Sequence, residues 1–390
     1  MRLLHTADWH IGRTIEGRDR HSEHEAFFEE LTEIAENEKA DAVLMAGDVF
    51  DSVNPPAKGE ELFYESMARL SDNGRRPVII ISGNHDHPDR LAAARTILKN
   101  HNIYIQGLPS LMPLRIPVAG KETFLSIAGL PYPSESRLKQ SFSELNDELV
   151  LRDVYGEKIN EFFNRLTKDF SEQDVRIAMS HLFVAGGSGT ESERPIEVGG
   201  AYTVKGTQLP KNVQYTALGH LHRPQNIKHS QAPARYSGSP LAFSFSETGY
   251  TKSVTMVEVD PMQDARITEI PLSAGKPLVK WKAAGGMEQV HKWMLERKDS
   301  HAWIDLEIHM DDIPSMEEIH RLKKEYPGIL TIRPVFPDTE EDSSYERKHV
   351  AIDELFKQFY ERQTGGASPD EELTRLFLEL VNEEEEEQGQ

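Results

Sequence analysis

The sequence predicts an α/β core over residues 1–275, then a small α+β domain and a C-terminal pair of helices. Three observations predict it. Short apolar, β-branched runs each end abruptly in clusters of Asp, His, Gly and Asn. Amphipathic helical patterns lie between the early runs, and strand–helix–strand alternation builds α/β cores. A second, shorter β/α alternation begins after Ala274-Gly275-Lys276-Pro277, a turn-forming sequence.

Arg2–Thr6 reads as the first strand and runs into Ala7-Asp8-Trp9-His10. Glu25–Asn37 follows as a helix, with Phe27, Phe28, Leu31, Ile34 and Ala35 on one face. His21 and His24 precede it and are expected on the surface, whereas His5, inside the first strand, is expected in the core. Ala42–Ala46 is a strand that ends in Gly47-Asp48, and Lys58–Leu70 a helix. Val78–Ile81 runs into Ser82-Gly83-Asn84-His85-Asp86. Residues from about Pro133 to Ser171 read as a polar insertion with helices at Glu144–Leu151 and Glu157–Leu166. Arg176–Met179 then runs into Ser180-His181, and Val213–Leu218 into Gly219-His220-Leu221-His222. Arg235–Ser246 and Ser253–Val259 read as consecutive strands that close the core.

Past the boundary, Leu278–Lys282, Ala302–Met310 and Gly328–Phe336 read as strands, and Met287–Arg297 and Ser315–Glu325 as helices. Ser315 and Glu318 form a capping box. Pro337–Ser344 is an acidic linker. Ile352, Leu355, Phe356 and Phe359, then Leu373, Leu376, Phe377 and Leu380, repeat an i, i+3, i+4, i+7 spacing on either side of Gly365-Gly366.

Composition narrows the chemistry. A chain of 390 residues suggests two or three domains, at about 100–200 residues each. With no cysteine, disulfides, zinc–thiolate sites, iron–sulfur clusters and a cysteine nucleophile are excluded. Any metal falls to His, Asp, Glu or Asn. No apolar run reaches the ~18 residues of a membrane span, and the first residues lack a signal-peptide layout, so a cytoplasmic protein is expected. The net charge is −21. Residues 338–390 hold 17 acidic and 5 basic side chains, so the rest of the chain is only moderately acidic. The acidic balance lowers the expectation of a nucleic-acid partner without excluding one.

Five predicted strand ends deliver ligand-type side chains: Asp8 and His10, Asp48, Asn84 and His85, His181, and His220 and His222. In open α/β sheets such groups meet beyond the carboxyl ends of the strands. Setting His85 aside, two carboxylates, one amide oxygen and four imidazoles remain. Seven donors are too many for one catalytic metal with an open position, and suit two metals that share a carboxylate. A pair of metals clamps the attacking and leaving oxygens of a phosphate ester. Mixed His/carboxylate/amide sets suit Mn²⁺, Fe²⁺ or Zn²⁺ better than Ca²⁺.

The order D-x-H, G-D-x-x-D, G-N-H-D, H, G-H-x-H resembles the calcineurin-like metallophosphoesterases, over about residues 1–260. The resemblance implies a four-layer α/β/β/α sandwich, here with a small α+β capping domain and a C-terminal helical pair. It implies that Asp8, His10 and His222 bind one metal, that Asn84, His181 and His220 bind the other, and that Asp48 bridges them. His85 would stabilise the transition state or protonate the leaving oxygen, and the Asp51 carboxylate would orient His85.

Within that family, HTADWHIGR, GDVFD, SGNHDHPDR, GHLHRPQ and YSGSPLAFSFSE are similar to its bacterial DNA-nuclease branch. That branch implies a Mn²⁺-dependent exo- and endonuclease acting on double-stranded DNA ends and hairpins, in DNA repair, recombination and replication. It also implies a homodimer within a heterotetramer, partnered by an ABC-type ATPase with a long coiled coil on which the C-terminal helices would dock. No G-x₄-G-K-[ST] loop is present, so ATP dependence would come from the partner. Arg13, Arg18 and Arg20 follow the first motif and are the candidate DNA-phosphate contacts. The alternatives are a small-molecule phosphodiesterase or phosphatase on the same core, and a non-catalytic scaffold.

Overall fold

The structure is a computed structural model that describes residues 1–134, 136–138, 148–194, 202–310 and 315–336, and in the C-terminal segment residues 356, 357, 360, 369, 373–375 and 377. The first apolar runs form β1 (Arg2–Thr6), β2 (Ala42–Ala46) and β3 (Val78–Ile81), with helices α1 (His21–Asn37) and α2 (Ala57–Leu70) between them. Short helices α3 (Pro88–Leu91) and α4 (Arg95–Lys99) lead to β4 (Ile103–Gln106). These four strands pair in parallel. A second group comprises β5 (Leu114–Pro117), β6 (Phe124–Leu130), the insertion helix α5 (Glu148–Thr167), β7 (Val175–His181), β8 (Tyr215–Gly219), β9 (Gln225–Asn226) and β10 (Ala234–Tyr236). The chain then returns to the first sheet as β11 (Ser253–Glu258), antiparallel to β1, and β12 (Arg266–Pro271). The two six-stranded sheets have the orders β12-β11-β1-β2-β3-β4 and β5-β6-β7-β8-β10-β9.

Alternation along the strands assigns the layers. Leu3, Leu44, Ile79 and Ile81 face inward and meet Leu125, Ile127, Ile177 and Met179 of the other sheet. Leu4, Val43, Met45 and Ile80 face outward against Phe27, Phe28, Leu31, Phe63 and Met67 of α1 and α2. Ala128, Leu130 and Ala178 face outward on the second sheet, against Ile159, Phe162 and Phe163 of α5. The fold is therefore an α/β/β/α sandwich. Because both faces of the central strands are covered, they read as continuous apolar runs.

Several expectations change. Helix α1 starts at His21, not Glu25, and His24 is buried, its Nε2 2.9 Å from the Trp9 carbonyl oxygen. Glu148–Thr167 is one helix with no break before Glu157. Gly156 stays inside it because a Cβ there would meet the Gln208 side chain at 2.2 Å. Residues 144–147 lie outside the described ones. The expected strand Arg235–Ser246 contracts to β10, because Ser237-Gly238-Ser239-Pro240 breaks it. The segment after it turns toward the strand ends instead. His5 is buried as expected, its Nδ1 2.9 Å from the Tyr215 hydroxyl.

Next come β13 (Leu278–Ala283), α6 (Gly286–Leu295), β14 (Trp303–His309), α7 (Met316–Glu325) and β15 (Ile329–Val335), with β14 central in a three-stranded sheet. The capping box of α7 forms: Ser315 Oγ accepts from Glu318 N at 3.2 Å, and the Glu318 carboxylate accepts from Ser315 N at 2.9 Å. This sheet meets the sandwich through Ile15, Leu278, Trp303 and Leu330. Glu23 of α1 adds a polar tie, accepting from Trp303 Nε1 (2.9 Å) and Lys276 N (2.7 Å).

By compactness the chain divides into residues 1–308 with 314–334, and 309–313 with 335–390. Within the second unit, the rings of Phe356 and Phe377 stack at 4.2 Å. Ile352, Leu355, Phe359, Leu376 and Leu380 lie outside the described residues. No helix among the described residues is long and apolar enough to cross a membrane.

Candidate metal centre

The strand ends of both sheets converge on one place. Asp8 and His10 follow β1, Asp48 follows β2, Asn84 and His85 follow β3, His181 ends β7, and His220 and His222 follow β8. The first two loops are stitched by Asp8 N to Gly47 O (2.9 Å), His10 N to Asp48 O (3.0 Å) and Ile11 N to Val49 O (2.9 Å). Asp8, His10, Asp48 and His220 all have positive φ (55°, 46°, 55° and 109°). Non-glycine residues persist there only where their surroundings over-determine the backbone, a mark of functional sites. The loops also approach very closely: a Cβ on Gly83 would lie 2.0 Å from Asp48 Oδ1, and one on Gly47 2.4 Å from His181 Nδ1.

Donor atoms gather in three groups among the described residues; one, His10, Asp51 and His85, lies toward the cavity mouth, and the other two share Asp8. In the first of these two, His10 Nε2 and His222 Nε2 stand 3.1 Å apart, with Asp8 in the same group. In the second, His181 Nε2 lies 2.8 Å from Asn84 Oδ1 and 3.3 Å from Asp48 Oδ2, again with Asp8 in reach. Asp48 joins the two: its Oδ2 is also 3.6 Å from His10 Nε2, and its Oδ1 accepts from His85 N at 2.9 Å. The ring of His220 lies 5.5 Å from that of His181, and its backbone N–H donates to Asp8 Oδ1 at 2.9 Å. His181 Nδ1 is taken by the Ala46 carbonyl oxygen at 2.9 Å, which leaves Nε2 as the ring atom that could ligate.

Burial controls the charges. It pushes His10 down to about 3, His220 well below the usual histidine range, and His222 down as well, so these rings are neutral with lone pairs available. Burial pushes Asp8 well above the usual carboxylate range. Burial also opposes charge on His181 and Asp48, but their mutual attraction outweighs it. His181 rises to about 9 and Asp48 falls well below the usual carboxylate value.

The donor set fits divalent cations. Asp8 Oδ2 is buried and makes no hydrogen bond to a described residue. His10 Nε2 and His222 Nε2 are buried, 3.1 Å apart and grouped with a carboxylate oxygen of Asp8, so all three can reach one cation. Imidazole, carboxylate and amide donors together suit Mn²⁺, Fe²⁺ or Zn²⁺.

Two expectations are corrected. The Asp51 carboxylate does not hold His85. His85 Nδ1 bonds the backbone carbonyl oxygen of Asp51 at 2.8 Å, while Asp51 Oδ1 lies 3.3 Å from His10 Nδ1 and 3.6 Å from Arg13. The side chain thus supports a donor histidine, and only the main chain supports His85. Arg20 is fully buried in a bidentate pair with Glu23 (3.0 and 2.7 Å) and cannot reach DNA. Arg18 is exposed on the loop before α1, and Arg13 is half-buried. Arg13, Asp51, His85, Ser192, Glu193 and Arg194 line a cavity of about 440 Å³ at the mouth of the site.

Three further residues, Ser192, Glu193 and Asp86, belong to the site. Ser192 Oγ lies 2.6 Å from His222 Nδ1, and Glu193 Oε1 accepts from His222 N at 2.8 Å. Asp86 accepts from Gly83 N, Val49 N and Phe50 N (2.8, 3.2 and 3.0 Å), and so locks the second loop to the third. Burial, with the Asp48 charge, lifts Asp86 to about 6 against those three donors. Asp86 does stand in the G-N-H-D motif, where its role was not foreseen. Ser192 and Glu193 belong to no motif.

Residues 1–224 match the calcineurin-like phosphoesterase family. Residues 275–364 match the type 5 capsule protein repressor C-terminal domain family. The chain is 54% identical over 388 residues to the SbcD subunit of the SbcCD nuclease from Bacillus subtilis, covering 99% of each chain. The chain belongs to the SbcD nuclease family of calcineurin-like phosphoesterases. The SbcD protein of Rhodobacter capsulatus is 35% identical over 73% of this chain and 72% of its own, and that of Staphylococcus epidermidis 28% identical over 93% and 94%. As an SbcD-family protein the chain is a metal-dependent phosphodiester hydrolase with nuclease function, and these relatives favour that reading over the small-molecule phosphatase. Family membership and the clustered Asp and His donors both point to divalent metals.

Proposed function

We propose that Asp8, His10 and His222 hold one divalent cation and Asn84, His181 and His220 a second, that Asp48 is shared, and that the native metal is Mn²⁺. The observation that carries this reading is the 3.1 Å approach of His10 Nε2 to His222 Nε2, beside the unpartnered, buried Asp8 Oδ2. When bound, such a pair of cations polarises the phosphate and lowers the pKa of a water. The protein's own share is positioning and proton transfer. His85 stands at the cavity mouth, tethered at Nδ1 by the Asp51 carbonyl oxygen, and delivers a proton to the leaving 3′- or 5′-oxygen of the deoxyribose. Arg13, at the same mouth, steers the phosphate backbone, so sequence preference is weak.

The substrates are double-stranded DNA ends and hairpins, as the relationship to SbcCD nucleases supports. The same relationship supports an SbcC-type ABC ATPase partner and a homodimer within a heterotetramer. The proposed division is a nuclease domain (1–275), a capping domain (276–337) and an acidic linker with partner-binding helices (338–390); the start of the second family match at residue 275 supports the first boundary, and that match continues past the second, to residue 364. Removing residues 345–390 is expected to spare Mn²⁺-dependent cutting and to abolish co-purification with the ATPase.

His85→Ala tests the central assignment on end-labelled duplex and hairpin DNA. The variant keeps both cations by elemental analysis and loses about 10²–10⁴-fold in cleavage rate. Undiminished cleavage overturns the role of His85.

A further inference from the structure

We infer that Arg137, from the insertion between β6 and β7, is the positioning residue for His85. Its guanidinium spans the catalytic loop from outside. Nη1 donates to the Gly83 carbonyl oxygen (3.1 Å) and to that of Tyr132 (3.3 Å), and Nη2 to that of Asp86 (3.1 Å). Gly83 and Asp86 are the first and last residues of Gly83-Asn84-His85-Asp86, so one rigid fork fixes both ends of the segment that carries His85. A planar guanidinium can make such a two-point grip; the single ammonium of lysine cannot.

The opposite side of the loop is fixed independently. There the Asp86 carboxylate takes the Gly83, Val49 and Phe50 amides, and Asp48 Oδ1 takes the His85 amide. Of these anchors only Arg137 comes from outside the strand-end loops. Tyr132 reinforces the fork: its amide donates to Ser82 O at 2.9 Å, and its ring lies 5.3 Å from the guanidinium carbon. The three hydrogen bonds of the fork end on main-chain oxygens, not on the donor atoms of the candidate metal centre or on the lining of the cavity mouth. These hydrogen bonds hold the backbone from which His85 reaches the leaving oxygen, while the guanidinium charge is also felt by Asp86 and Asp48.

The inference rests on the proposed role of His85 as proton donor, and the experiment separates the two. Arg137→Ala, His85→Ala and the double variant are compared with Mn²⁺ on duplex DNA and on thymidine 5′-(p-nitrophenyl phosphate), whose leaving group needs no proton. Arg137→Ala is expected to lose about 10²-fold in kcat on DNA, the scale of an ångström's misplacement. Because Asn84 stands on the same segment, the comparison is made at Mn²⁺ concentrations that fill both sites by elemental analysis; there KM should hold and the nitrophenyl ester should turn over near the normal rate. The double variant should be no slower on DNA than His85→Ala. If His85→Ala cuts DNA normally, the proton-donor reading fails. If His85→Ala is impaired while Arg137→Ala is normal, or if Arg137→Ala loses both substrates equally, the positioning role of Arg137 fails. Should the alanine variant not fold, Arg137→Lys carries the same comparison. It is expected to show a smaller DNA-specific kcat loss, and no loss or an equal loss on both substrates overturns the role.

Discussion

His10 Nε2 and His222 Nε2 face one another across 3.1 Å, although 212 positions separate them in the chain. Each ring is anchored on its far side: His10 Nδ1 lies 3.3 Å from Asp51 Oδ1, and His222 Nδ1 2.6 Å from Ser192 Oγ. A support at Nδ1 fixes the ring and directs the Nε2 lone pair inward, as in metal-binding histidines generally.

Ser192→Ala removes the support of His222 without removing a donor atom. Such losses weaken metal binding by about 10–100-fold. Calorimetric titration with Mn²⁺ is expected to show one of two sites weakened by that factor and the other unchanged. An unaltered two-site isotherm contradicts the support role.

Asp51→Asn separates two readings of that residue. Its carboxylate lies 3.3 Å from His10 Nδ1 and within 4.8 Å of a His85 ring nitrogen, whereas the hydrogen bond to His85 comes from its main chain. The substitution should weaken one Mn²⁺ site by about 10–100-fold, while the pH dependence of kcat at saturating metal stays where it was. A shifted pH profile at saturating metal would mean that the side chain acts on His85 after all.

Glu23 tests the attachment of the small sheet. Burial favours its neutral form, but hydrogen bonding and charge from Arg20, with the Lys276 and Trp303 N–H groups, outweigh it and hold the carboxyl below its usual 4.5. A depressed folded pKa gives stability that is present above 4.5 and is lost as pH falls through the folded value. Glu23→Gln leaves Arg20 buried and unpaired, at a cost of about 3–5 kcal/mol at pH 7. The urea midpoint, followed by tryptophan fluorescence, should drop at pH 7. The gap from the unsubstituted protein should narrow below pH 4.5. A gap of equal size at both pH values contradicts the assignment.

How much of this was legible depended on what each residue does. β2 and β3 stood out because all their residues are buried, leaving unbroken apolar runs. β6 was missed because Ser126 and Gly129 interrupt it, and β12 because an edge strand alternates with solvent. The candidate donors were legible because each lies at a strand end or within four residues of one. Ser192 and Arg137 were not, because they act through another ring or through backbone carbonyls, which demand no spacing. Arg20 misled because an arginine beside a motif reads as a phosphate contact, whereas Glu23, three residues on, draws it inward.

Crystals soaked in manganese and measured at the manganese absorption edge test the central claim most directly. Two anomalous peaks are expected, roughly 3.5–4 Å apart, one beside Asp8, His10 and His222, the other beside Asn84, His181 and His220, with Asp48 between them. A single peak, or two peaks that do not share Asp48, contradicts the account.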